Sequence, residues 1–253
     1  MTRPREPKRR PQQRDVAPRR FRGDPDAAHS NGVDQERIPA HVRAMMPDDT
    51  AATWSVIAPL MPTSAYLVGG TALTVHLQHR VSRDLDFFLE QEEDLDALWT
   101  AFQSAGNAMA NERSEGTLNC LFNETKVQVL DASTQRLINT TTLVAGVKVA
   151  CVEDLMATEI KVIVGRGELR DYFDLMCIER QVGLSAETGI ALAIEKYNPQ
   201  DRESFVFTVL RALGSFSDVA DDPSLPVSRQ EVESYWMKRQ LQVAKRLDAF
   251  GGA

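Results

Sequence analysis

Two aspartates two residues apart, Asp84 and Asp86, stand in the run DLDFFLE of residues 84–90. Leu85, Phe87 and Leu89 alternate with Asp84, Asp86 and Phe88, which is strand periodicity and puts both carboxylates on one face. Side by side they repel, and a cation between them relieves the repulsion. A hard divalent ion takes oxygen ligands and is commonly held by one or two carboxylates plus substrate phosphates. The pair therefore suggests magnesium or manganese and phosphate chemistry, with a solvated strand face as the plainer alternative. Just upstream, Gly69-Gly70-Thr71 stops an apolar run and opens a helix. Backbone amides in such a turn form an anion site.

The segment GGTALTVHLQHRVSRDLDFF resembles the signature of the AbiEii/AbiGii toxin family of nucleotidyltransferases, a Gly-Gly followed by Arg-x-Ser-x-Asp-hydrophobic-Asp. Gly69, Gly70, Arg80, Ser82, Asp84 and Asp86 are the matching positions. Similarity continues through Asp131 and the segment DLMATEIKVIVGRGELRDYFDL of residues 154–175, and spans about residues 50–250. The resemblance implies an α/β (α+β) fold, a polymerase-beta-like mixed sheet core with a C-terminal helical region. It implies an enzyme moving a nucleoside monophosphate from an NTP to an acceptor hydroxyl, with tRNA or another RNA as acceptor. It also implies a toxin with a separately encoded antitoxin, of the toxin–antitoxin or abortive-infection, phage-defence kind.

In that frame Asp84 and Asp86 hold the metal against the triphosphate, while Gly69, Gly70, Thr71 and Ser82 hydrogen-bond its oxygens. Arg80 meets the charge on the leaving pyrophosphate. Asp131, at the end of a neighbouring strand, shares a second metal and helps deprotonate the acceptor, or else ends its strand in an ordinary turn. Arg166 and Arg170 contact phosphates and Asp171 and Asp174 orient them, or the four form an ion-paired helix start. Related sequences carry a lysine seven residues before the position of Arg166, where this chain has Glu159. Three arrangements are open. Glu159 faces the cleft as a carboxyl among phosphates; the helix is turned so that Lys161 faces it instead; or Glu159 pairs with Arg166. A catalytically weakened nucleotide- or RNA-binding member of the fold is the alternative function, and a sugar transferase, whose metal site also uses Asp-x-Asp, is a third.

The elements that must position these groups are legible in outline. Ala65–Val68 reads as a buried strand, and the nine residues after it as a helix with Leu73 and Leu77 four apart. A helix is expected over 48–61, broken by Pro62, and an amphipathic one from Asp94 to Gly106. Residues 117–122 and 126–130 read as a hairpin closed by Asn123-Glu124-Thr125, and Leu143–Val149 as one further strand. Helices follow at 155–164, 187–196, 202–213 and, behind the capping box Ser228-Arg-Gln-Glu231, to about Leu247. Phe205, Phe207, Tyr235 and Trp236 read as core rather than as a base-stacking platform.

The chain divides on this reading into a tail, 1–45, a nucleotidyltransferase core, 46–150, and a helical region, 151–253. Residues 1–22 carry nine Lys or Arg against Glu6 and Asp15, within a chain of net charge −7. With so few apolar residues the tail is expected to be disordered. It is either an electrostatic arm for RNA or sequence upstream of a start at Met45 or Met46. Cys120, Cys151 and Cys177 are odd in number and show no metal spacing, so they read as structural thiols. No apolar run approaches the roughly 20 residues of a membrane span, and a cytoplasmic location is the expectation.

Overall fold

A computed structural model describes residues 37–251. The expected tail lies outside the described residues up to position 36, but its last part is folded. Ala40–Arg43 forms one helical turn, α1, with Val42 1% exposed and Met46 in the core. Apolar burial at Val42, which the surrounding charge obscured, overrides the expected boundary at 45.

Seven strands form one mixed sheet: β1 (Ala65–Val68), β2 (Leu85–Leu89), β3 (Ala108–Ser114), β4 (Thr117–Phe122), β5 (Thr125–Asp131), β6 (Thr142–Val144) and β7 (Val147–Val149), in the order β3-β4-β5-β2-β1-β7-β6. Strand β2 lies between β1, antiparallel with Val68 opposite Asp86, and β5, parallel with Asp86 opposite Gln128. The β4–β5 hairpin turns at Asn123 and Glu124, both at positive φ (44° and 71°), the backbone of a two-residue turn that follows the strand twist. The single strand expected over 143–149 is instead a hairpin, because Ala145 and Gly146 also take positive φ (44° and 77°). Strand β3 was not foreseen. It is an edge strand, exposed along nearly all its length, so its sequence AMANERS has no buried face to mark with apolar alternation.

The helices are α2 (Asp48–Ile57), α3 (Gly69–Leu77), α4 (Leu95–Ala105), α5 (Val152–Arg166), α6 (Leu169–Cys177), α7 (Ala186–Tyr197), α8 (Arg202–Leu213) and α9 (Arg229–Gly251). Several of their starts are set by side chains that accept the free amides of the first turn: Asp94 Oδ1 takes those of Asp96 and Ala97, and Asp201 Oδ1 that of Ser204. The mixed α/β architecture is the one expected. The last strand, β7, ends at Val149, and every described element after it is a helix. Phe205 and Trp236 are core residues, and Trp236 Nε1 donates to the Tyr172 carbonyl at 2.8 Å. Phe207, expected there too, is 69% exposed. Phe205, Val209 and Leu213 recur every fourth residue on the buried face of α8, and Phe207, two positions on, points about 200° away. Cys120 and Cys177 are buried, whereas Cys151 is half-buried at the start of α5 and accepts from the Asp154 amide at 3.4 Å.

Helix α5 packs against α3, α6, α7 and α8, and a buried ion pair fixes its start. Lys196 Nζ on α7 donates to both Asp154 carboxylate oxygens at 2.9 and 3.0 Å, with both side chains fully enclosed. It also donates to the Arg136 carbonyl at 3.4 Å, and Asp154 accepts the Ile138 amide at 3.0 Å. The pair thereby ties α5, α7 and the crossing segment between β5 and β6 at one point. Removing one partner of such a pair leaves a buried charge uncompensated. Lys196→Met is therefore expected to lower unfolding free energy by about 3–5 kcal/mol. Glu195→Ala, which breaks the exposed pair with Arg136, should cost under about 1 kcal/mol. Urea titrations of the two variants would check the contrast, and equal losses would contradict it.

Candidate active site

A cleft of about 510 Å³ lies over one face of β2, bounded by the turn between β1 and α3, the segment from Arg80 to Asp84, and the cleft-facing sides of α5 and α6. The sheet dictates which groups enter it. Asp84 and Asp86 project from one face, and the opposite alternation, Leu85, Phe87 and Leu89, goes into the core. Asp86 is half-buried, and its carboxyl is pushed up to about 6, first by burial and then by the charge of Asp84, against the pull of Arg170, Arg166 and Lys126.

Both glycines of the turn are required by close approach. Gly69 has φ +67°, and a Cβ there would lie 2.9 Å from Asp86 Oδ2. A Cβ on Gly70 would lie 2.3 Å from Arg80 Nη2. The N-terminus of α3 is thus pressed between the acid pair and a guanidinium, and Gly69 and Gly70 line the cleft. Thr71, expected to contact substrate, is buried and turned inward. Its Oγ1 donates to the Asp84 carbonyl and lies 2.8 Å from Ser82 Oγ, so it positions Asp84 and Ser82 rather than lining the cleft.

Arg80 is held from the helical side. Its Nε and Nη2 donate to Asp174 Oδ1 and Oδ2 at 2.7 and 2.6 Å, and His79 Nε2 lies 2.8 Å from the same Oδ1. Burial opposes charge on Asp174. The Arg80 guanidinium and the two hydrogen-bonding partners outweigh it and hold the carboxyl below its usual range. Burial also opposes the charge on Arg80, but Asp174 raises its pKa further still. The His79 ring stacks on Phe173 at 5.8 Å. Asp171 caps α6, accepting the Glu168 amide at 2.8 Å, and burial first, then Asp174, lifts its carboxyl to about 6. Arg170 pairs with Glu168 at 2.6 Å and Arg166 stands 3.9 Å from the same residue. Both arginines line the cleft.

Two further expected site residues lie elsewhere. Asp131 pairs with Leu89, three positions beyond Asp86, and shares the face of Leu85 and Phe87. It is on the wrong side of the sheet and about 10 Å along it, at roughly 3.3 Å per residue. Its side chain accepts the Ser133 amide at 2.8 Å, which is the strand-ending turn. The β5 residue opposite Asp86 is Gln128, which lines the cleft with Lys126. Lys161 is also outside. It is exposed, with Nζ 5.9 Å from the Tyr197 and Phe205 rings. On α5 it is Thr158, Glu159, Val162 and Arg166 that face the cleft, and among the described residues no ion pair joins Glu159 to Arg166. Of the two candidate residues on α5, it is Glu159 that is turned to the cleft.

Sequence reasoning also missed cleft residues that only chain crossing supplies. Asp222 and Ser224, from the loop between α8 and α9, reach the cleft. The Ser224 hydroxyl donates to Asp222 at 2.6 Å and, with its amide, keeps that carboxyl below its usual range. Pro47, Asp49, Thr50 and Arg83 complete one wall, with Thr50 Oγ1 donating to the Arg83 carbonyl at 2.9 Å. A loop with no periodicity carries no signal of where it folds back. Lys126 and Gln128 had one, their alternation with Val127 and Val129, but the parallel pairing to β2 could not be read from it.

No three His, Cys, Asp or Glu side chains among the described residues gather into a metal site. The two-carboxylate set fits a divalent cation that takes its remaining oxygens from substrate: hard donors, unrelieved repulsion, and a glycine where a Cβ would crowd Asp86 Oδ2.

Residues 58–140 match the family model described as nucleotidyl transferase AbiEii toxin, type IV toxin–antitoxin system. An uncharacterised protein of Aquifex aeolicus, aq_aa25, is 26% identical over 174 residues, 68% of this chain and 80% of that one. Among solved structures, JHP933 from Helicobacter pylori has 16% identity and a TM-score of 0.49, over 85% of this chain and 97% of its own. No described helix is long and apolar enough to cross a membrane.

The electrostatics of Asp86 can be measured without a substrate. Its folded pKa, about 6, lies above the ordinary 3.8. Stability from this group is therefore full below about pH 4 and is lost as pH rises through about 6. In metal-free protein, Asp86→Asn should raise Tm over wild type at pH 8 and show little advantage at pH 4. Magnesium should then raise the Tm of wild type but not of the variant. A variant less stable at pH 8 than at pH 4 relative to wild type would refute the assignment.

Proposed function

We propose that this chain is a magnesium- or manganese-dependent nucleotidyltransferase that moves a nucleoside monophosphate from an NTP to a hydroxyl of tRNA or another RNA. It acts in the cytoplasm as the toxin of a pair with a separately encoded antitoxin, with phage defence as the setting. The observation that carries the reading is the convergence of Asp84 and Asp86 with the Gly69-Gly70 turn and Arg80 in one cleft. The family match over residues 58–140 supports it.

In the reaction the acceptor oxygen bonds to the α-phosphorus and the bond from that phosphorus to the bridging oxygen breaks. Pyrophosphate leaves, and the hydroxyl proton passes to water. Asp84 and Asp86 would hold the divalent ion, which when bound neutralises phosphate charge and orients attacking and leaving oxygens. The α3 amides at Gly69 and Gly70, with Ser82, bind phosphate oxygens. Arg80, locked in place by Asp174, meets the charge that grows on the leaving group. Positioning by fixed donors of this kind supplies most of the rate in phosphoryl-type transfers. Arg166 and Arg170 share Glu168 and are free to exchange part of that contact for phosphate.

Incubation of the protein with each of the four α-labelled NTPs, total RNA and magnesium should place label on RNA. Asp84→Asn and Asp86→Asn should reduce labelling to background, and Gly70→Ala, which displaces Arg80, by roughly a hundredfold, the scale of losing one fixed transition-state donor. Asp131→Asn and Lys161→Ala should leave it near wild type. Nucleotide binding without transfer would favour the weakened-binder reading, and full activity in the double aspartate variant would end the proposal.

A further inference from the structure

Strand β5 runs beside β2 with Leu85 opposite Val127 and Asp86 opposite Gln128. Parallel strands in that register turn alternate side chains to the same face. Lys126 therefore stands beside Asp84, each one residue before the buried pair Val127 and Leu85, and Gln128 stands beside Asp86. All four line the cleft, on strands about 4.8 Å apart. Across the other edge of β2 the residue opposite Asp86 is Val68. Neither neighbouring strand thus adds a carboxylate beside the acid pair, and among the described residues no third His, Cys, Asp or Glu gathers with it. One hard cation is served by one or two carboxylates plus substrate phosphates. A second would have to share those same two carboxylates while standing beside the Lys126 ammonium.

We propose that Lys126 is the second cation of this site, contacting a phosphate oxygen of the bound nucleotide beside a single divalent ion on Asp84 and Asp86. The inference rests on the nucleotidyltransferase reading and assigns within it a substrate contact and the number of ions. Two arginines of the cleft are already paired: Arg80 donates to Asp174 through Nε and Nη2, and Arg170 lies 2.6 Å from Glu168. The Lys126 side chain is exposed and joins no ion pair among the described residues. A lysine ammonium is a compact point charge with three donors and binds phosphate in that way. Its stem rises from the same sheet face as the carboxylates, so whatever the acid pair holds against the sheet is held next to this ammonium. Phosphate charge is then divided between one ion and one side chain.

The test uses the full-length chain with Mn2+ and the α,β-methylene analogues of the four NTPs, which bind but cannot release pyrophosphate. Lys126→Met keeps the length and removes the charge; Lys126→Arg keeps the charge. Calorimetry should give Lys126→Met a loss of affinity of about tenfold and Lys126→Arg one within about threefold. Lys161→Met, on an exposed lysine outside the cleft, should bind as wild type does, with thermal melts confirming that all three are folded. Electron spin resonance of free Mn2+ should count one ion per ternary complex in wild type. Unchanged affinity in Lys126→Met would overturn the proposal, as would an equal loss in Lys126→Arg, an equal loss in Lys161→Met, or two ions in wild type. The Asp86→Asn variant separates the two levels of inference. If wild type binds, Asp86→Asn does not and Lys126→Met binds as wild type does, only the Lys126 contact is wrong. If wild type binds no analogue, the nucleotidyltransferase reading falls and this one with it.

Discussion

An extended strand sends every second side chain the same way, so Asp84 and Asp86 cannot avoid each other. Their shared face is a fixed repulsion, and the surrounding structure is arranged about it. Gly69 gives up its Cβ so that the turn can come within contact of Asp86. The start of α3 then brings partial positive charge to the pair. Thr71 binds the Asp84 carbonyl from below and so fixes where the first carboxylate stands. Arg166, Arg170 and Lys126 add cations at the rim that lower the cost of charging Asp86 without saturating it. What remains is an acid pair whose repulsion these cations relieve only in part.

The sheet and the helical region are joined through this cleft rather than beside it. Arg80 belongs by sequence to the β2 lead-in, yet its geometry is set by Asp174 on α6, ninety-four residues later. A bidentate pair of this sort fixes direction as well as distance. Helix α5 in turn is anchored by the Lys196–Asp154 pair to α7 and to the segment after β5. The orientation of α5 decides that Glu159 enters the cleft and that Lys161 lies over the Tyr197 and Phe205 rings. The C-terminal helices, which have no motif chemistry of their own beyond α6, are therefore what arms the site on the sheet.

Much was legible from the chain alone, and for a common physical reason: it is encoded within a few residues. Periodicity located β1, β2, α3, α4 and the β4–β5 hairpin, and the Ser228–Glu231 capping box located the start of α9. The pairing of Asp84 with Asp86, the Gly-Gly turn and the Arg-x-Ser lead-in are local patterns and all converge in the cleft. The edge strand β3 escaped because exposure on both faces removes the alternation by which strands are recognised.

What only the tertiary structure decided is what depends on register and crossing. One-residue alternation gave β5 two faces, and parallel pairing with β2 chose Lys126 and Gln128 for the cleft and left Asp131 on the other side. Rotation of α5 about its axis chose Glu159 over Lys161, two positions and about 200° apart. The loop carrying Asp222 and Ser224 returned to the site across more than a hundred residues. A strand's period of two and a helix's 3.6 state which residues travel together, and packing alone states which of those faces meets the substrate.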